Sequence, residues 1–287
     1  MNKPDTLVIS GASTKVLCFC GIFRALFEKN IVDVGLTSIK EIHTVSIGTF
    51  YSYCLLLGMS EKVIYECMIN SDFRQCLNVD SIDFNSFIHS MGLVTHGDYF
   101  RKIMKIILIH TFNKPDITLK ELHEYNPITL FVKCVNISTQ SSVHFSHITH
   151  PNMSITELLI MTTTLPVLFR AQKYKGDYYV DGGISGNLPI EKVTSKNAIC
   201  IHIKRSLIDI DKEEFPILGF LQNMCCISSV SYNKYKRRTI NVIANISTFD
   251  FNVEREQKNT IIKKGYEQTL SRLNDEKFFY NSLVTET

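Results

Sequence analysis

Twice near its start the chain places a short β-branched run directly before a glycine turn and an apolar helical stretch, and this repetition limits the fold more than any other feature. Leu7-Val-Ile9 closes on Ser10-Gly11, after which Leu17, Phe19, Ile22, Phe23, Leu26 and Phe27 recur at helical spacing between Lys15 and Glu28. His43-Thr-Val-Ser-Ile47 closes on Gly48-Thr49 and leads into an apolar helix running from Phe50 to Met59. Strand, turn and helix in that order, given twice, predict neighbouring parallel strands with helical crossovers, and so an α/β fold. Further strands are expected at Thr129–Val135, Ala198–Ile203 and Ile240–Ala244, and helices at Ser154–Thr163 and Thr260–Leu273. Ser60-Glu61 and Thr118-Leu-Lys-Glu121 read as helix starts.

The 287 residues, 45% hydrophobic and 21% charged, suit one large core, so a single domain over 1–287 is expected. A net charge of +3 is too small to imply nucleic-acid binding; the nearest basic cluster is Lys234, Lys236, Arg237 and Arg238. The nine cysteines lie in apolar stretches without CxxC pairs, and the histidines, including His43, His144, His147 and His150, lack metal-ligand spacing. No metal or cofactor is expected. The first residues run straight into the Thr6–Ser10 strand, and no apolar run reaches the roughly 18 residues of a membrane span. The expectation is an intracellular, cytoplasmic protein with reduced cysteines.

Three segments in order resemble the patatin-like phospholipase family, whose members pair a serine nucleophile with an aspartate. Ser10-Gly-Ala-Ser-Thr-Lys-Val16 is similar to its glycine-rich oxyanion loop, with Gly11 kept and Ala12, Ser13 and Val16 at glycine positions. Gly48-Thr-Phe-Tyr-Ser52 resembles its G-x-S-x-G elbow, and Tyr179-Val-Asp181-Gly182-Gly183 with Asn187-Leu-Pro189 its D-G-G/A and N-x-P segment. Ile155–Pro166 is similar to its R-A-S-x-x-x-P helix, with Ile160 where arginine is usual. The likeness covers roughly residues 5–280 and is to the compact forms of bacteria and large DNA viruses. It implies a three-layer α/β/α fold with a central, mostly parallel sheet, and Asp181 as general base.

On this alignment Phe50 takes the nucleophile's position, and a phenyl ring has neither a proton to give nor a lone pair to attack with. Ser46, two residues before Gly48, falls within the expected strand, and Cys54 on the following helix reads as core. The resemblance then implies an inactive lipid acyl hydrolase homologue, kept for binding a lipid, an anionic membrane surface or a protein partner. Two alternatives stand beside it: a phospholipase A or lipid acyl hydrolase working through Ser52 with Asp181, and a structural assembly protein. A peripheral-membrane or virus-associated location would suit these readings. The apolar stripe Phe215–Leu221 with Met224, ahead of the basic run, is the expected lipid-facing element.

Overall fold

The computed structural model describes residues 3–77, 91–204, 233–244, 246 and 250–278. β1 (Thr6–Ile9) leads through a 3-10 turn at Ser13–Val16 into α1 (Leu17–Glu28), and β2 (Glu41–Val45) into α2 (Gly48–Leu56) and α3 (Glu61–Asn70). β3 (Gly92–Val94), α4 (Asp98–Phe112) and α5 (Leu119–Tyr125) precede β4 (Thr129–Asn136) and β5 (Ser141–Phe145). α6 (Ile155–Thr162) is followed by the short strands β6 (Val167–Phe169), β7 (Gln172–Tyr174) and β8 (Asp177–Asp181), then by β9 (Ala198–Lys204), β10 (Thr239–Ile243) and α7 (Arg255–Leu273).

The main sheet runs β10-β9-β1-β2-β4-β8-β7, with β5 also on β4, while β3 and β6 form a separate pair. β10, β9, β1, β2 and β4 are mutually parallel; β5, β7 and β8 add antiparallel pairs at one end. The fold is therefore α/β with a mostly parallel central sheet, as the two N-terminal units predict. β1 and β9 are apolar on both faces because both are covered. Leu7 and Ile9 of β1 and Ile199, Ile201 and Ile203 of β9 face the large core, while Val8, Ala198 and Cys200 pack with Leu188, Ile190, Val193 and Tyr235 on the other side.

Helix starts follow the expected capping chemistry. The Ser60 hydroxyl accepts the Val63 amide, and Thr118 and Glu121 form a reciprocal capping box. Other boundaries differ. The first helix is 3-10 until Val16, α7 starts at Arg255 behind a Glu254–Gln257 box, and β2 ends at Val45, two residues earlier than the sequence suggests. α2 correspondingly begins at Gly48, because the Thr49 and Phe50 amides already bond the Ser46 and Ile47 carbonyls. The lipid-facing stripe at 215–224 lies outside the described residues. Of the basic run, Lys236 and Arg237 are exposed on the 3-10 turn before β10.

α1 and α7 cross with almost no space between their backbones. A β-carbon on Gly21 would lie 2.0 Å from the Ile262 carbonyl oxygen, and one on Gly265 2.4 Å from that of Cys18. Backbone atoms cannot swing aside as a side chain can. Gly21→Ala should therefore lower unfolding free energy by about 2–3 kcal/mol, even after the roughly 1 kcal/mol that alanine gains in helix propensity. Denaturant unfolding checks this; an unchanged midpoint would mean the helices separate freely.

Candidate active site

The site is set by register on β4. β5 pairs with Val132 to Asn136 along one edge of β4, so β2 and β8 must share the other. β2 comes up that edge as far as Val45 opposite Lys133, and β8 comes down it as far as Asp181 opposite Cys134. The two strands thus meet end to end, on consecutive residues of β4. The chain leaving β2 must turn away here, and the residue that turns is Ser46. Its Oγ donates to Asp181 Oδ2 at 2.5 Å.

Ser46 takes φ +55°, a left-handed conformation that non-glycine residues rarely hold. This is the geometry of a nucleophile elbow, a sharp strand-to-helix turn with a serine at its tip. Its flanks are Thr44 and Gly48, so the segment reads Thr44-Val-Ser46-Ile-Gly48, with threonine in place of the first glycine. Gly48 is required because a β-carbon there would lie 2.4 Å from the Ser10 carbonyl oxygen. Gly48 is therefore the elbow's second glycine. The expectation that Phe50 occupies the tip is corrected by one helical turn: Phe50 lies inside α2 and lines the cavity beside the tip. Ser52 is fully buried within the same helix, and its hydroxyl donates back to the Gly48 carbonyl at 2.8 Å. Cys54 is enclosed, and burial pushes its thiol far up, so it holds no thiolate.

The loop after β1 lies beside the elbow because parallel neighbours present their C-terminal ends together, where ligands of open α/β sheets sit. A β-carbon on Gly11 would meet Ser46 Cβ at 3.0 Å and Asn187 Oδ1 at 2.6 Å, so a side chain there would crowd the tip of the elbow. Asn187 holds the loop by donating Nδ2 to the Gly11 carbonyl at 2.9 Å. Ser13 takes φ +49°, the conformation for which a glycine would be preferred. The amides of Ala12 and Ile47, on the two segments flanking Ser46, make no hydrogen bond to any described residue.

Asp181 is 2% exposed and its Oδ1 accepts the Gly183 amide at 2.7 Å, which fixes the carboxylate at the head of the Gly182–Ser185 turn. Gly182 packs on β4, where a β-carbon would stand 2.4 Å from the Lys133 carbonyl oxygen. Lys133, wholly buried, reaches under the turn and donates Nζ to the Ser185 and Gly186 carbonyls and to Glu191. The gap between β2 and β8 leaves the Ser46 amide and the Lys133 carbonyl without ladder partners. Thr162, the last residue of α6, satisfies both: Oγ1 accepts the former at 2.9 Å and donates to the latter at 2.7 Å. Lys133 and Thr162 carry no catalytic motif and escaped the sequence reading.

Ser46 and Asp181 line a cavity of about 440 Å³ whose walls are largely apolar, among them Phe50, Phe73, Phe100, Ile103, Leu165 and Phe169. His96 also lines it, stacked on Phe169 and bonded through Nε2 to Thr163 Oγ1 at 2.9 Å. Burial, with Arg101 nearby, pushes its pKa down to about 3, so the ring is neutral at physiological pH. Among the described residues, no imidazole intervenes between the serine and its carboxylate.

A serine elbow at the end of a parallel strand, facing an aspartate, is an arrangement of α/β proteins of the hydrolase type. The family model for patatin-like phospholipases matches residues 7–194, and the chain belongs to that family. It is 24% identical over 267 residues to the "Probable lipid hydrolase 463L" of Invertebrate iridescent virus 6, covering 92% of this chain and 87% of that one. Among solved structures it resembles VipD from Legionella pneumophila, with a TM-score of 0.62 and 18% identity over 94% of this chain and 67% of that one. It also resembles full-length ExoU from the type III secretion system of Pseudomonas aeruginosa, with a TM-score of 0.52 and 14% identity over 95% of this chain and 54% of that one.

Proposed function

We propose that the protein is an active lipid acyl hydrolase whose nucleophile is Ser46 and whose general base is Asp181. The observation that carries this is the 2.5 Å contact from Ser46 Oγ to Asp181 Oδ2, on a strained elbow at the wall of an apolar cavity. Ser46 Oγ attacks the ester carbonyl as its proton passes to Asp181. The oxyanion forms beside the Ala12 and Ile47 amides, whose hydrogen-bond capacity is unspent among the described residues. Collapse breaks the bond to the alcohol, which leaves with the proton held by Asp181. Water, deprotonated by the same carboxylate, then attacks the acyl-serine; the bond to Ser46 Oγ breaks, the proton returns from Asp181 to Oγ, and a fatty acid is freed. The cavity's apolar walls suit an acyl chain, and the name of the viral relative points to the same substrate class.

The inactive alternative depends on Phe50 standing at the elbow tip, and the Ser52 alternative on a hydroxyl that is instead bonded inside α2. Fatty-acid release from a long-chain phosphatidylcholine in mixed micelles tests the proposal. Turnover by the purified wild-type protein is expected; release no faster than with the Ser46→Ala protein would overturn it.

Thr162 should then act as a positioning residue. Thr162→Val leaves the buried Ser46 amide and Lys133 carbonyl unpaired, costing about 2 kcal/mol of stability, and lets the elbow shift. A fall in kcat on the order of tenfold to a hundredfold is expected, with KM little changed. Thr162→Ser keeps the hydroxyl and should restore most of the rate.

A further inference from the structure

α4 has two apolar sides, and one of them is uncovered. Phe100, Met104 and Leu108 are buried, while Ile103 and Ile107 line the cavity. On the outer side Ile106 is 62% exposed and Ile109 44%, one turn apart. Lys102 and Lys105 precede them by four residues each, so all four side chains share one face of the helix. Both lysines are exposed, and neither forms an ion pair among the described residues, whereas Arg101 on the flank is engaged by Asp98 and Glu157. Ile106 belongs to both regions: it is exposed to solvent and it lines the cavity that holds Ser46.

We propose that this face of α4 docks the protein on an anionic lipid bilayer, with Ile106 and Ile109 entering the interface and Lys102 and Lys105 contacting lipid headgroups. Two observations select a bilayer over another occupant. Among the described residues, the uncompensated charge beside the isoleucines is wholly positive, which matches an anionic surface and opposes a second copy of the same face. The patch is also continuous with the acyl cavity through Ile106, so a lipid drawn from the bilayer enters without crossing water. Isolated exposed isoleucines need no explanation; a pair flanked by unpaired lysines at a cavity mouth is the pattern of an interfacial helix. The inference rests on the lipid-hydrolase reading for its biological sense, but docking is measurable without turnover.

The test is co-sedimentation of the Ser46→Ala protein with vesicles of phosphatidylcholine alone or with 30% phosphatidylserine added, on the order of the anionic content that such electrostatic binding needs. Binding to the anionic vesicles is expected, weakening as salt is raised. Lys102→Gln with Lys105→Gln should lower the partition coefficient about 25-fold, at about fivefold per lysine. Ile106→Ser with Ile109→Ser should lower it at least as far. Thermal melts of both variants check that they are folded. Partition unaffected by either pair, or no binding to anionic vesicles, would overturn the docking face while leaving hydrolysis of a soluble ester by the wild-type protein intact. Self-association in the absence of lipid, abolished by the isoleucine pair, would assign the face to a second copy instead.

Discussion

Ser46→Ala should reduce hydrolysis of a p-nitrophenyl ester on the order of a millionfold, leaving only the residual rate that substrate binding and the oxyanion site supply. Only a hydroxyl is removed, at a residue whose φ of +55° alanine must also adopt, so the fold should persist with a small change in melting temperature. The contrast with two neighbours gives the result its force. Ser52→Ala deletes a hydroxyl bonded to the Gly48 carbonyl within α2 and should stay close to the wild-type rate. Phe50→Ala removes part of the cavity wall and should act mainly through KM, by less than about tenfold. A nucleophile at Ser52 would invert this order.

Asp181→Asn should lower kcat by about a thousandfold to ten-thousandfold. Asparagine keeps an oxygen to accept the Gly183 amide, as Oδ1 now does at 2.7 Å, so the turn is held. It cannot take the proton, and an amide NH₂ placed where Oδ2 lies would donate towards Ser46 Oγ. Asp181→Ala loses the turn contact as well, and should add a stability loss of about 1–2 kcal/mol that the asparagine variant lacks. Paired kinetics and denaturant melts separate the two roles of the carboxylate.

Much of the scaffold could be read from the chain. The two β-turn-α units fixed the parallel strands, Ser60 and Thr118 announced their helices, and Gly11, Gly48, Asp181 and Gly182 all stand at the site. The elbow's register differs from the expected one because Gly48 is its second glycine, not its first. Gly48 abuts the preceding loop, where a β-carbon would stand 2.4 Å from the Ser10 carbonyl oxygen, and counting back two residues from it reaches Ser46. The signal in the sequence was Ser46-Ile-Gly48 at the end of an apolar strand, masked by Thr44 in the first glycine position. The meeting of β2 and β8 on one edge of β4 had no such signal, since it joins residues 135 apart through a third strand.

The loop after β1 carries a related lesson. Ala12, Ser13 and Val16 at glycine positions argue from sequence for a lost oxyanion site, since β-carbons narrow the backbone's choices. Yet Ser13 adopts φ +49°, a strain of about 1 kcal/mol or more that the surrounding packing sustains. Gly11, the position where a side chain would strike Ser46 and Asn187, is still glycine.

An activated nucleophile at Ser46 should be open to covalent labelling. A fluorophosphonate reacts with a serine only where a base and an oxyanion site act together, and peptide mapping identifies the residue. Wild-type protein should be modified stoichiometrically on the peptide containing Ser46, more slowly in Asp181→Asn and not at all in Ser46→Ala. Protein left unmodified by the probe, or labelled at Ser52 in place of Ser46, would show that Ser46 is not the nucleophile.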